Sequence, residues 1–203
     1  MPLEIEAKFK IEDLDRLRNE LLKLGASNEG DCLERNWILD DVEGNLKQRG
    51  VLLRVRNMGG VDGVMTVKQP TQQGEFKTRE ETETMVDSTR ELLKQLSAVG
   101  FQVVWIYEKI RQTWLWRDCV LALDQCPEIG DYLEIEGSPE NIRHVCGDLG
   151  LDPSEHIDDT YLGIWIKHLK SLGEPRRDMV FDSTDSNSRR TSPQTRVLRW
   201  DNA

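Results

Sequence analysis

Residues 3–9, Leu3-Glu4-Ile5-Glu6-Ala7-Lys8-Phe9, set a pattern that much of the chain repeats. Their charged and apolar residues alternate, as they do on a β-strand with one charged face and one apolar face. Similar strand-like runs, several of them bounded by turn signals, predict a mainly antiparallel sheet. They cover residues 51–57, 64–69, 77–86, 103–117, 119–125 and 132–137.

Segments with a helical period lie among these strands, at residues 12–24, 88–99, 139–149 and 158–169. Three strands carry Glu-x-Glu, and each precedes a helix that stops at a glycine, which suggests a repeated strand–helix unit. A sheet with one face exposed to solvent usually carries Thr, Ser and Gln among the polar residues of that face. In this chain nearly every polar position of the strands is charged instead. We therefore predict an α+β fold, a closed antiparallel β-barrel with a charged lumen and helices packed outside.

The composition narrows the class of protein. The chain has 203 residues, 27 of them basic and 37 acidic, for a net charge of −10. Such an acidic chain repels a nucleic-acid backbone, and no run approaches the roughly 18 apolar residues of a membrane span. The four cysteines form no CxxC pair, so we expect reduced thiols and a cytoplasmic protein. The composition changes near Ser171, which predicts a domain over 1–170 and a disordered tail over 171–203.

The predicted lumen carries two sets of charges. The acids are an oxygen-only ligand set, which favours hard cations such as Mg²⁺ or Mn²⁺ over zinc. The bases are dense enough for several phosphates, because Arg offers forked donors and Lys a point charge. Together they fit a polyphosphate whose oxygens a metal bridges. No GxxxxGK[ST] loop occurs, which excludes a P-loop.

Several motifs follow one another along residues 3–169. They are Glu4-Ile-Glu6-Ala-Lys8, Leu53-Arg54-Val55-Arg56, Val67-Lys68-Gln69-Pro70, Arg79-x-Glu81-x-Glu83, Lys109-x-Arg111, Leu123-Asp124 running on to Glu134-Ile135-Glu136, and Thr160-Tyr161-Leu162. In this order they resemble the CYTH superfamily, the triphosphate tunnel metalloenzymes that include class IV adenylyl cyclases and thiamine triphosphatases. The resemblance implies an antiparallel β-barrel tunnel, in agreement with the alternation of charges.

The resemblance also implies roles for individual residues. A divalent metal, Mg²⁺ or Mn²⁺, would be held by Glu4, Glu6, Asp124, Glu134 and Glu136. The triphosphate would be bound by Lys8, Arg54, Arg56, Lys68, Arg79, Lys109 and Arg111. Among these, Lys8 and Arg111 are the catalytic candidates, with Lys8 positioning or deprotonating the attacking group. Glu81 and Glu83 would line the tunnel wall.

One segment departs from the family pattern. Where many cyclase-like members have Q-x-D-x-Y-F-D, residues 34–40 read Glu-Arg-Asn-Trp-Ile-Leu-Asp. Asn36 thus replaces an aspartate and Ile38 an aromatic residue. We expect both near the mouth or the base of the tunnel, where they bear on the choice of substrate rather than on the metal–triphosphate core.

The expected function is that of a metal-dependent enzyme acting on a triphosphate, resembling class IV adenylyl cyclases, which convert ATP to cyclic AMP and pyrophosphate. The alternative chemistry is hydrolysis of inorganic or organic triphosphate. A non-catalytic polyphosphate- or nucleotide-binding module is less favoured, because it would need the bases but not the acids. A purely structural salt-bridge network is the least favoured, since burying each ion is costly. The expected partner is a small-molecule triphosphate, with a homodimer as a candidate assembly and neither nucleic acid nor a membrane as partner.

Overall fold

The computed structural model describes residues 3–70 and 74–182. The strands are β1 (Leu3–Ile11), β2 (Ser27–Asp41), β3 (Leu52–Asn57), β4 (Gly63–Lys68), β5 (Lys77–Val86), β6 (Phe101–Trp116), β7 (Cys119–Cys126) and β8 (Gly130–Glu136). The helices are α1 (Leu14–Leu24), α2 (Asn45–Gln48), α3 (Thr89–Ala98), α4 (Pro139–Leu149) and α5 (Tyr161–Leu172), with a single 3₁₀ turn at Pro153–Glu155.

The strands form one closed ring in the order β1, β5, β4, β3, β2, β6, β7, β8, and β8 pairs with β1 again. Every neighbouring pair is antiparallel. The predicted α+β class and antiparallel closure are therefore confirmed. Because side chains alternate across each strand, one face of every strand points into the ring and the other points outward.

Strand β2 is missing from the sequence-based prediction, which assigned no strand between residues 12 and 51. Its fifteen residues pair with both β3 and β6. The register shifts between Asn28 and Gly30 and again between Ile38 and Leu39. Gly30 has a φ of 109°, which other residues rarely adopt. These irregularities break the two-residue alternation by which the other strands were recognised.

Helices cover the outer face of the ring in two places. Helices α1 and α4 bury Leu17, Leu21 and Ile142 against the outward residues of β1, β7 and β8. Helix α3 covers the other side of the ring, where its leucines pack near Leu53 and Val55. The predicted end of α1 is confirmed, since Gly25 ends the helix in the left-handed conformation, although Asp13 caps a start two residues later than predicted. Helix α5 begins and ends three residues later than the predicted 158–169.

Helix α5 lies across one end of the ring instead of on its outer face. Its Trp165 and Leu169 are fully buried in a cluster with inward-facing residues from the ends of several strands. Those residues are Ile38, Leu52, Trp105, Tyr107, Cys126 and Tyr132. We call this end the sealed end, because apolar side chains fill it.

The described chain continues past the predicted domain boundary at residue 170. Helix α5 ends at Leu172, and residues 176–181, here called the strap, run along the part of β6 that β7 does not reach. Met179 is fully buried, and its amide donates to Ile106 O at 3.0 Å. The amide of Glu108 donates to Met179 O at 2.8 Å. The remainder of the predicted tail, residues 183–203, lies outside the described residues.

Along residues 3–70 and 74–182 no helix combines the length and apolarity needed to cross a membrane. All four cysteines lie within these ranges, and each is a free thiol.

Candidate functional site

The three Glu-x-Glu strands are neighbours in the ring, in the order β5, β1, β8. Glu4 lies opposite Arg79 on β5, while Glu6 lies opposite Glu136 and Lys8 opposite Glu134 on β8. We call this side the acidic wall. Because the three strands of the repeat are neighbours, their carboxylates lie together on one side of the interior. Strands spread around the ring would have kept these carboxylates apart.

Lys68 links two carboxylates on the acidic wall. Its Nζ lies 2.6 Å from Glu4 Oε2 and 2.9 Å from Glu81 Oε2. Burial raises the pKa of Glu81 to about 7, and the hydrogen bond to Glu4 and the charge of Glu4 add to this effect, against the opposing charge of Lys68. Two carboxylates thus share one ammonium group, and this corner of the interior holds more negative charge than Lys68 neutralises.

Glu6 and Glu136 extend this negative corner. Glu6 is buried and pairs with Lys77, whereas Glu136 stays largely exposed at the open end of the ring. Partial desolvation and the charges of Glu4 and Glu6 raise the pKa of Glu136 to about 7. Lys77 was not among the predicted site residues, although it shares the inward face of β5 with Arg79 and Glu81.

Asp124 of β7 is the most enclosed of the predicted site residues, with no exposed surface. It accepts hydrogen bonds from Arg111 Nε at 2.7 Å and Nη2 at 2.6 Å, and from Lys109 Nζ at 2.8 Å. The hydroxyl of Tyr161 donates to it at 2.7 Å. Asp124 therefore fixes two bases from β6 and the first residue of α5.

Lys8 of β1 is held from three sides. Its Nζ donates to Asp159 O at 3.1 Å, lies 3.3 Å from Glu134 Oε1, and sits 4.2 Å from the centre of the Tyr161 ring. Burial opposes ionisation of Glu134, but Lys109 and Lys8 hold the pKa of that carboxyl well below its usual range. Lys8 is thus an oriented cation near the sealed end.

Strands β3 and β6 and the middle of β2 form the opposite side of the interior, here called the basic wall. Arg54 is buried, and its Nη2 lies 3.1 Å from Thr66 Oγ1 and 3.6 Å from Glu81 Oε1. Arg56 Nε donates to Asn36 Oδ1 at 3.0 Å, and its Nη1 lies 3.1 Å from Glu34 Oε1.

Glu34 and Asn36 are site residues that the sequence reading missed. Both are fully buried and face the interior, and Asn36 lies one inward step short of the sealed end, near the base of the ring as expected. Ile38 lies in the sealed end itself. The charges of Arg56 and Lys109 outweigh burial and lower the pKa of Glu34 to about 2. Once β2 is recognised as a strand, the two-residue spacing between Glu34 and Asn36 predicts that both side chains lie on the same face.

The remaining predicted residues lie on β5. Glu83 accepts from Thr66 Oγ1 at 2.9 Å, but about half of its side chain is exposed. Arg79 lies opposite Glu4 and is half-buried. With Glu81, these residues line the β5 side of the ring, so the structure brings all the predicted site residues to one interior or its rim.

The predicted metal ligands divide into two groups. Asp124 and Glu134 are engaged by bases near the sealed end, whereas Glu4, Glu6 and Glu136 lie toward the open end. Within the described residues no three Asp, Glu, His or Cys side chains stand close enough together to hold a metal as they are. The open-end group nevertheless suits a hard divalent cation, since its ligands are all oxygen and the charges of Glu4 and Glu6 help to raise the pKa of Glu136.

Comparison with known proteins agrees with this architecture. The model of the CYTH domain matches residues 2–147. A protein of Methanocaldococcus jannaschii named "Putative adenylate cyclase" is 26% identical over 141 residues, which cover 70% of this chain and 80% of that protein.

Solved structures share the fold at lower identity. The structure of a "putative adenylate cyclase" from Vibrio parahaemolyticus has a TM-score of 0.71 at 18% identity, covering 81% of this chain and 98% of that one. The structure of "putative adenylyl cyclase HpAC1" from Hippeastrum, described as revealing a dominant triphosphatase activity, has a TM-score of 0.63 at 16% identity, covering 87% and 98%. Because the family model matches most of its length, the chain belongs to the CYTH domain family.

Proposed function

We propose that this protein is a divalent-metal-dependent enzyme that cleaves a triphosphate chain inside the ring, and that hydrolysis of inorganic or organic triphosphate is its reaction. The observation that carries the proposal is the basic wall, where Arg54 and Arg56 on β3 and Lys109 and Arg111 on β6 point inward from the two strands that flank β2. Buried cations in this number suit a small ligand with several negative charges, and a triphosphate supplies them in a linear chain.

The acidic wall supports catalysis over simple binding. A module that only binds polyphosphate has no need of Glu4, Glu6 and Glu136, which repel an anion. A hard divalent cation, when bound, would neutralise charge on the phosphate oxygens as the bond breaks, and these three residues with Glu81 beside them would hold it. Mg²⁺ and Mn²⁺ are the cations that suit this oxygen-only set.

The chain's own residues supply binding and orientation. Arg54, Arg56, Lys109 and Arg111 bind the phosphate oxygens, and Asp124 keeps the last two in place through short hydrogen bonds. Lys8, anchored by Glu134 and the carbonyl of Asp159, is the candidate for positioning the attacking water. The sealed end keeps bulk solvent away from that side, which strengthens these interactions.

Formation of cyclic AMP from ATP is the second candidate, favoured by the name of the relative from Methanocaldococcus jannaschii, "Putative adenylate cyclase". It uses the same bases but also needs a pocket for adenine and a 3′-hydroxyl held beside the α-phosphorus. Hydrolysis needs only the charged interior and water. We therefore rank hydrolysis first, although the sequence alone placed the cyclase first.

Phosphorus NMR of the protein with Mg²⁺ or Mn²⁺ separates these reactions. We expect inorganic triphosphate to yield orthophosphate and pyrophosphate. Cyclic AMP with pyrophosphate from ATP would instead establish the cyclase, and an unchanged spectrum with both substrates would contradict both. Arg111→Met should abolish the activity while Arg117→Met, which alters a surface Arg–Asp pair, should retain it. Equal activity in both variants would assign the signal to a contaminating phosphatase.

A further inference from the structure

In the charged part of the basic wall, outside the apolar sealed end, three buried polar atoms find no hydrogen-bond partner among the residues that the structure describes. They are Asn36 Nδ2, Arg54 Nε and Glu34 Oε2. Buried amide and guanidinium N–H groups in folded proteins are nearly always paired, because an unpaired one costs free energy. Two of the three atoms are donors, so their missing partner is an acceptor that the chain itself does not supply.

These two donors belong to one patch of the interior. Asn36 lies opposite Arg56 on β3 and opposite Tyr107 on β6, and Arg54 lies opposite the next inward residue of β2, Ile38. Residues related in this diagonal way are close enough for long side chains to reach the same ligand. The hydroxyl of Tyr107 lies beside the Arg54 guanidinium and completes the patch, which we call the Asn36 subsite.

The Asn36 subsite is also the last polar layer before the sealed end. One step further along their strands, Asn36, Arg54 and Tyr107 are followed by Ile38, Leu52 and Trp105, which all belong to the apolar cluster under α5. A linear ligand that enters from the open end therefore brings its leading end to this layer.

We propose that the Asn36 subsite binds the terminal phosphoryl group of the triphosphate, with Asn36 Nδ2 and Arg54 Nε donating to its non-bridging oxygens. The inference rests on the proposed function and makes Asn36 a specificity-determining residue. A phosphoryl group supplies several acceptor oxygens, enough for both of these donors. Glu34 does not prevent this, because Arg56 at 3.1 Å and Lys109 at 3.6 Å compensate its charge.

The amide of Asn36 has two separable functions, which makes the test selective. Its Oδ1 accepts from Arg56 Nε, while its Nδ2 is the donor assigned to the ligand. Asn36→Asp keeps an acceptor for Arg56 and removes the donor, and Asn36→Ala removes the donor without adding charge. Asn28→Asp, at an exposed position on the same strand, adds the same charge outside the ring.

The experiment is calorimetric titration of inorganic triphosphate into the full chain in EDTA, with a melting curve for each variant. We expect both Asn36 variants to remain folded and to bind triphosphate at least about tenfold more weakly than wild type. This is the reduction in affinity expected when a hydrogen bond to a charged group is lost. Asn28→Asp should bind like wild type.

Each other outcome has a defined meaning. If wild type fails to bind triphosphate, the proposed function itself is contradicted. If wild type binds and Asn36→Ala binds equally well, the donor has no role in binding and the inference is wrong, even if Asn36→Asp is weaker through its charge. If both Asn36 variants unfold, Asn36→Ser, which retains a hydroxyl donor and acceptor, replaces them. Folded Asn36→Ser that binds at least about tenfold more weakly than wild type would then overturn the assignment, since the donor it retains should preserve most of the binding.

Discussion

Arg111 and Asp124 face each other across the β6–β7 ladder and are joined by two hydrogen bonds, of 2.7 and 2.6 Å. Lys109 and the hydroxyl of Tyr161 converge on the same carboxylate. One buried aspartate therefore organises two bases of the proposed triphosphate site and ties the ring to α5. Both the stability of the fold and the binding of the ligand therefore depend on the side chain of Asp124.

Asp124→Asn should destabilise the protein strongly. It removes the negative charge that compensates Lys109 and Arg111, and breaking a buried ion pair typically costs about 3–5 kcal/mol. Chemical denaturation measures the change in unfolding free energy. The matched control is Asp148→Asn, whose partner Arg117 is on the surface and whose loss should matter little. Similar losses in the two variants would contradict the role assigned to Asp124.

Saturating inorganic triphosphate should recover part of the stability lost in Asp124→Asn. The ligand brings negative charge to Lys109 and Arg111, so it should raise the melting temperature of this variant more than that of wild type. Differential scanning fluorimetry at a fixed triphosphate concentration measures both shifts. An equal or smaller shift in the variant would indicate that the ligand binds elsewhere.

Glu6→Ala should abolish turnover and leave triphosphate binding in EDTA unchanged or tighter. Glu6 belongs to the proposed metal-binding group, and its removal also releases Lys77 to an anion. Rates of orthophosphate release and calorimetry separate the two effects. Glu91→Gln, at an exposed acid paired with Lys94 on α3, is the control. Turnover that survives in Glu6→Ala would refute the placement of the metal on the acidic wall.

The pH dependence of stability should carry a contribution from Glu34. Its folded-state pKa of about 2 lies below the ordinary 4.5, so its stabilisation is fully present above pH 4.5 and disappears as the pH falls toward 2. The shift corresponds to roughly 3 kcal/mol at neutral pH. The difference in unfolding free energy between wild type and Glu34→Gln should shrink over that range. A difference that stays constant from pH 6 to pH 2.5 would contradict the buried ion pairs of Glu34.

The strap should behave as part of the folded domain. Met179→Ala should lower the unfolding free energy by about 2–5 kcal/mol, because the side chain is fully buried beside Trp165. The neighbouring Val180 is exposed, so Val180→Ala should change it little. Equal and small effects of both substitutions, measured by urea denaturation, would mean that the domain ends nearer residue 170.

Strict alternation made most of this architecture predictable from the sequence. Glu4, Glu6 and Lys8 on β1 and Arg54 and Arg56 on β3 face inward because their strands keep a two-residue period. Strand β2 could not be recognised in this way, since its register shifts twice. Glu34 and Asn36 were therefore missed as interior residues, although they contact Arg56 directly.

Long-range pairing accounts for what else the sequence did not reveal. Which acid meets which base depends on the order of strands around the ring, so the bridge from Lys68 to Glu4 and Glu81 has no local signal. The strap is similar. Residues 171–182 are polar and lack a period, yet Met179 docks because β7 leaves part of β6 uncovered.

The central claim is that the ring holds a triphosphate on its basic wall and a divalent cation on its acidic wall. Titration of inorganic triphosphate with and without Mn²⁺, into wild type and Glu4→Gln, tests it most directly. Where the protein hydrolyses triphosphate too quickly for a titration, a non-hydrolysable imido analogue of triphosphate replaces it. We predict one triphosphate per chain in EDTA, tighter binding to wild type when Mn²⁺ is added, and a much smaller gain in Glu4→Gln. No binding to wild type, or an equal gain from Mn²⁺ in both proteins, would contradict the account.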